Sequence, residues 1–185
     1  MRGDTIGELK FGDDNVAVGT DDVVVLAVPP RPAASLLPGL KTPSKYRAIV
    51  NAHFRCDPPR DAPAILGVVG GLVEWLFAFP QRLSVTISNG DRLVDMPREE
   101  LAQAIWRDVC KAAGVTGELP PWQIVRERRA TFEATPEQNA LRPGPVTAYK
   151  NLFLAGDWTD TGLPATIEGS VRSGDRAADL VLARA

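Results

Sequence analysis

Histidine and cysteine are scarce in this chain: His53 is the lone histidine, and Cys56 and Cys110 are the 2 cysteines among 185 residues. So few soft ligands, so far apart, do not make a zinc site, and two distant cysteines give no disulfide framework. Neither charge is in excess: 21 Lys plus Arg stand against 23 Asp plus Glu, a net charge of −2. A nucleic-acid module carries a basic stripe with interleaved aromatics, and neither is present. Missing too are Gly-x-Gly-x-x-Gly, a phosphate loop and a Gly-x-Ser-x-Gly elbow. No apolar run reaches the ~20 uninterrupted residues of a membrane-crossing helix. With no signal peptide at Met1–Lys10, the expected compartment is a reducing cytoplasm, with at most peripheral contact at the inner membrane.

What is present suits a packed domain. Apolar residues make up 44% and charged residues 24%, and at this length about 70% of the unfolded surface can be buried. Half of the 16 prolines cluster at Pro29-Pro30-Arg31-Pro32, at Pro58-Pro59 with Pro63, and at Pro120-Pro121, where a chain changes direction. They suggest three sections: 1–40, 41–125 and 126–185.

In the first section, Leu9–Phe11 and Val16–Val18 flank Gly12-Asp13-Asp14-Asn15, which predicts a hairpin. Val23–Val28 is apolar without alternation, the pattern of a strand buried on both faces in a parallel sheet. A short helical turn is expected near Ala33–Leu37. The middle section alternates at Tyr46–Phe54 and again at Leu83–Ser88, which predicts half-buried antiparallel strands. Between them Ala64–Phe79 is nearly all apolar, but Gly70-Gly71 divides it into two strands. Residues 98–113 carry Leu101, Ile105 and Val109 at helical spacing, with Pro97 suited to the first turn and Gly114 to the stop. Trp106 and Cys110 on this helix read as packing residues.

The last section returns to the style of the first: Leu152–Ala155, then Gly156-Asp157, a polar loop from Trp158 to Pro164, and a helix from about Ala165 to Ala183. Ile167, Val171, Leu180 and Val181 are expected as its apolar stripe, and small residues from Gly169 to Ala178 leave its surface thin. Strand, Gly-Asp, loop and helix is the layout in which α/β folds place a ligand at strand carboxyl ends. Asp157 can accept hydrogen bonds from a polyol, and the Ala165-Thr166-Ile167 helix start offers free N–H groups and a positive dipole end. On spacing alone, Asp157 serves equally well to organise the loop behind it. His53, mid-strand and without a partner at suitable spacing, reads as a satisfied or solvent-facing histidine.

Residues 151–159 (Asn-Leu-Phe-Leu-Ala-Gly-Asp-Trp-Thr) and 161–174 (Thr-Gly-Leu-Pro-Ala-Thr-Ile-Glu-Gly-Ser-Val-Arg-Ser-Gly) resemble the C-terminal flavin motif of phytoene-desaturase-like enzymes, in the FAD-dependent amine oxidase superfamily. Asp22–Pro30, Leu66–Phe77, Leu83–Ser88 and Arg129–Pro136 support the resemblance, which is nearest to the squalene-associated desaturases, the hydroxysqualene dehydroxylases of bacterial hopanoid synthesis.

The resemblance implies an α/β fold, the C-terminal part of a two-domain FAD-dependent oxidoreductase. Residues 1–40 and 126–185 would supply part of a Rossmann-like FAD lobe, and 41–125 an antiparallel substrate lobe. Gly156, Asp157, Ala165, Thr166 and Ile167 would contact FAD; no catalytic residue is implied. Trp75, Phe77 and His53 are candidates for lining a lipid tunnel, with ordinary packing the better reading of each. The partner would be an isoprenoid lipid, with the absent N-terminal half or a second copy as protein partners and no nucleic acid. Lacking the Gly-rich ADP-binding unit, the chain alone is expected to bind FAD weakly and to be inactive. The alternative is a non-catalytic module for an apolar ligand or partner.

Overall fold

The computed structural model describes residues 3–184; Met1, Arg2 and Ala185, at the ends of the expected 1–40 and 126–185 sections, lie outside them. The fold is mixed α/β. The chain forms two units, which change over between Lys45 and Tyr46 and again between Thr131 and Phe132.

The first unit combines both ends of the chain. Strands β1 (Glu8–Phe11) and β2 (Asp14–Ala17) form the expected hairpin, closed by a tighter turn than Gly12–Asn15: Phe11 already pairs with Asp14, and Gly12 takes a φ of +63°. Strand β3 (Val24–Leu26) lies parallel to β9 (Leu152–Leu154), in register from Val24↔Leu152 to Leu26↔Leu154. These are the two unalternating apolar runs; β9 is buried throughout, but β3 is not buried on both faces as expected, since Val25 is 45% exposed with only one neighbouring strand to cover it. Asn151, itself buried, clamps Ile6 from both sides: its Oδ1 accepts from the Ile6 N–H at 2.8 Å and its Nδ2 donates to the Ile6 carbonyl at 2.9 Å. Helix α1 (Pro30–Leu36) opens on the proline cluster, since proline suits a first helical turn.

The second unit is a five-stranded sheet in the order β5-β6-β7-β4-β8. Its strands are β4 (Tyr46–Phe54), β5 (Ile65–Gly67), β6 (Trp75–Phe79), β7 (Arg82–Ile87) and β8 (Trp122–Phe132), the last of which ends at the unit boundary. The apolar run 64–79 is thus two antiparallel strands, with Gly70 at a φ of +79° between them. Helix α2 (Arg98–Ala113) covers one face of the sheet. Ala48, Val50, Ala52, Phe54, Leu83, Val85 and Ile87 meet Leu101, Ile105, Trp106 and Val109, and the Phe54 and Trp106 rings lie 5.0 Å apart. Pro97 stands one place earlier than expected, as the N-cap, and Gly114 ends the helix in the left-handed conformation. Strand β8 carries Arg126-Glu127-Arg128-Arg129, a charged stretch that does not read as a strand. Its arginines turn back instead: Arg126 donates to the carbonyls of Val94 and Met96, and Arg128 to that of Val94. Among the described residues, no helix is long and apolar enough to cross a membrane.

Candidate functional site

Strand β9 runs out at Leu154, and the Ala155 N–H donates to the Leu26 carbonyl, one last link to β3. The chain then turns sharply at Gly156, whose φ of +138° disfavours any side chain. A Cβ there would stand 2.7 Å from Nε1 of Trp158, so only glycine fits. The Trp158 ring is buried and its Nε1 donates to the Val28 carbonyl at 3.0 Å. This turn delivers Asp157 half-buried just past the carboxyl end of the strand. Desolvation raises the Asp157 pKa above its ordinary 3.8, opposed by the nearby Arg142 charge and by the N–H groups of Asp157 and Trp158.

Beyond the one-turn α3 (Pro136–Asn139), the helix that follows the loop is α4 (Ile167–Leu182). Thr166 caps it, its Oγ1 accepting from the Gly169 N–H at 3.0 Å, while the N–H groups of Ile167 and Glu168 meet no acceptor among the described residues. Ala165 is half-buried, and Thr166 and Ile167 are exposed. The expected apolar stripe holds at Leu180 and Val181, which pack half-buried against Phe153, Ala155 and Ala177, but fails at Ile167 and Val171, which are 87% and 53% exposed. The buried side consists of Gly169, Ser173 and Ala177, small residues four apart that let the helix lie close to β9. Ser173 also holds the turn. Its Oγ accepts from the Gly156 N–H at 3.0 Å and lies 2.7 Å from Thr159 Oγ1.

Sequence reasoning missed Arg142. This buried guanidinium donates to the carbonyls of Asp157 (3.1 Å), Thr159 and Leu163 (2.7 Å), and to Thr161 Oγ1 (3.3 Å), gathering the whole 157–163 loop on one side chain. Its plane lies over Phe132, 5.3 Å from the ring centre. No periodicity marks Arg142, which sits between Leu141 and Pro143 in an irregular segment; a charged residue between apolar neighbours was the one available sign. Gly156 and Asp157 thus share one rigid turn, and the loop leading from them to Ala165, Thr166 and Ile167 is pinned along its length. The arrangement offers one carboxylate acceptor and a set of open N–H donors, the complement of a ligand carrying both hydroxyls and anionic oxygens.

His53, Trp75 and Phe77 lie elsewhere, in the second unit, all on the sheet face opposite α2 rather than in its core. His53 Nδ1 is 2.9 Å from Ser84 Oγ, so the histidine is hydrogen-bonded, as expected for a strand histidine. Burial and the Arg82 charge lower its pKa, which keeps it neutral, and burial raises the thiols of Cys56 and Cys110.

Comparison with known proteins matches residues 2–182 to the family of flavin containing amine oxidoreductases. The chain is 80% identical over 177 residues to a hydroxysqualene dehydroxylase of Sinorhizobium fredii, covering 96% of this chain and 42% of that protein. It is 76% identical over 182 residues to a hydroxysqualene dehydroxylase of Rhodopseudomonas palustris, covering 98% and 44%. It therefore spans less than half the length of these relatives. Among solved structures, an oxidoreductase from Methanosarcina mazei superposes with a TM-score of 0.70 at 13% identity, covering 97% of this chain and 47% of that one, a likeness of fold.

Proposed function

The chain belongs to the family of flavin-containing amine oxidoreductases, and from that membership we propose that it is part of an FAD-dependent enzyme that removes the hydroxyl of a hydroxysqualene-like isoprenoid. In this reading the first unit, with β3, β9 and α4, belongs to the flavin lobe and the second to the substrate lobe. The observation that carries it is the Gly156-Asp157 turn beside the open N-terminus of α4, tied together by Arg142 and Ser173.

The residues present fit a flavin. Asp157 would accept from ribityl hydroxyls or neighbouring groups, and the N–H groups at Ala165–Ile167 would meet negative charge on the ring. Gly156 lets the backbone approach closely. A bound flavin supplies two-electron redox chemistry, the requirement for replacing a hydroxyl by hydrogen. The residues of this chain orient and hold: Arg142 keeps the loop carbonyls turned inward, so that the Asp157 carboxylate and the helix start face the ligand. The Gly-rich ADP-binding motif is not in this chain, so its flavin affinity alone should be weak.

The test is a chimera in which this chain replaces the matching segment of the Rhodopseudomonas palustris relative. The expected result is retained flavin and conversion of hydroxysqualene to squalene under reducing conditions. A chimera that folds and binds flavin but leaves hydroxysqualene untouched would overturn the substrate assignment.

A further inference from the structure

Gly156 stands where β9 gives way to the site loop, and both of its backbone polar groups are spent inside the protein. Its N–H donates to Ser173 Oγ at 3.0 Å. Its carbonyl accepts twice from Thr159, from the N–H at 3.1 Å and from Oγ1 at 2.9 Å. The two hydroxyl oxygens lie 2.7 Å apart, and Ser173 and Thr159 are each 2% exposed.

One order of protons satisfies all of these contacts. A hydroxyl has a single hydrogen, and Thr159 gives its own to the Gly156 carbonyl, which can only accept. Ser173 therefore donates to Thr159 while its oxygen takes the Gly156 N–H. The contacts close a one-way ring: Gly156 N–H to Ser173, Ser173 to Thr159, Thr159 to the Gly156 carbonyl. Packing alone does not call for the serine. Gly169 and Ala177 supply small residues on the same side of α4, and alanine at 173 would serve closeness to β9 equally well. A buried hydroxyl costs free energy unless it is paired, and this one is paired with the turn. Ser173 also lies six residues into α4, about 9 Å along its axis, so the ring ties Gly156 to the body of the helix rather than to its first turn.

With Gly156 held at its N–H and its carbonyl, the direction of the next residue is set. The N–H groups of Asp157 and Trp158 serve the Asp157 carboxylate, and Arg142 holds the carbonyls of Asp157 and Thr159. We propose that Ser173 and Thr159 are positioning residues, whose hydroxyl ring aims the Asp157 carboxylate at the flavin without touching it. The inference rests on the flavin reading above and adds two residues that act through Asp157. Buried, and with their hydrogens committed to the ring, they keep no donor for a ligand.

The experiment titrates FAD into the chimera carrying Asp157→Ala, Ser173→Ala or both, with folding judged by the thermal transition. Ser173→Ala should weaken FAD by about 3- to 10-fold, the worth of one hydrogen bond. Added to Asp157→Ala, it should weaken FAD by less than about twofold more, because the carboxylate it aims is already gone. Thr159→Val keeps the shape without the hydroxyl and should match Ser173→Ala, whereas Thr159→Ser keeps the hydroxyl and should stay within about twofold of the unaltered chimera. Should Ser173→Ala not fold, Thr159→Val takes its place in the cycle. Losses that multiply in the double variant, or FAD affinity unchanged by both Ser173→Ala and Thr159→Val, would overturn the proposal, leaving the ring as a brace of the fold alone. An unaltered chimera that binds no FAD would overturn the flavin reading and this one with it; full flavin with multiplying losses would sink this assignment alone.

Discussion

Asp157 is a half-buried carboxylate whose ionised form the fold disfavours, because desolvation outweighs the Arg142 charge and the local N–H donors. With the folded pKa above the ordinary 3.8, folding favours proton uptake. The group therefore contributes stability in acid that is lost as pH rises through its folded pKa. Asp157→Asn should accordingly raise the midpoint of chemical denaturation at neutral pH, with the gain shrinking toward pH 3.8 and below. A neutral-pH loss of stability would show that Asp157 is structural and not held for a ligand. Arg142 makes the opposite prediction. Its fork reaches three carbonyls, which a lysine ammonium cannot span, so Arg142→Lys should cost about 2–4 kcal/mol by denaturant titration. Proteolysis within residues 157–163 should rise with it.

At the scale of elements, the N-terminus of α4 depends on a single side-chain cap. Thr166→Ala removes the acceptor for the Gly169 N–H and should cost about 1 kcal/mol, while Thr166→Ser should cost little. Equal losses from both would point to packing of the threonine methyl instead. Elements with one dominant local signal were legible in the sequence. The unalternating runs became β3 and β9, the alternating ones β4 and β7, and the apolar spacing of 98–113 became α2. Where tertiary contacts decide, the sequence was mute or misleading. Strand β8 hid behind charges that donate to distant carbonyls. The inward side of α4 is small rather than apolar, because closeness to β9 matters more there than area. In the site, Gly156, Asp157 and the helix start stood out by their order along the chain, whereas Arg142 reaches loop carbonyls 15 to 21 residues away.

On the scale of the whole molecule, the first unit has a two-stranded parallel sheet, an arrangement seldom stable without more strands and covering helices. Val25 is 45% exposed within it, and Ile167, Val171 and Leu182 are exposed on α4. An open parallel sheet with apolar surface beside it recruits further polypeptide. The chain alone should therefore self-associate as concentration rises, seen in sedimentation velocity, and co-expression with the remainder of the Rhodopseudomonas palustris relative should suppress this. A clean monomer at every concentration would mean the unit is better covered than its exposed side chains indicate.

Flavin binding by the Gly156-Asp157 turn and the start of α4 underlies every functional assignment above. Equilibrium titration of FAD into the chimera and its Asp157→Ala variant tests it most directly. The chimera should hold flavin stoichiometrically and the variant should bind it at least about tenfold more weakly, the loss of a charge-assisted hydrogen bond, with the thermal transition retained. Equal flavin affinity in the two proteins would contradict it.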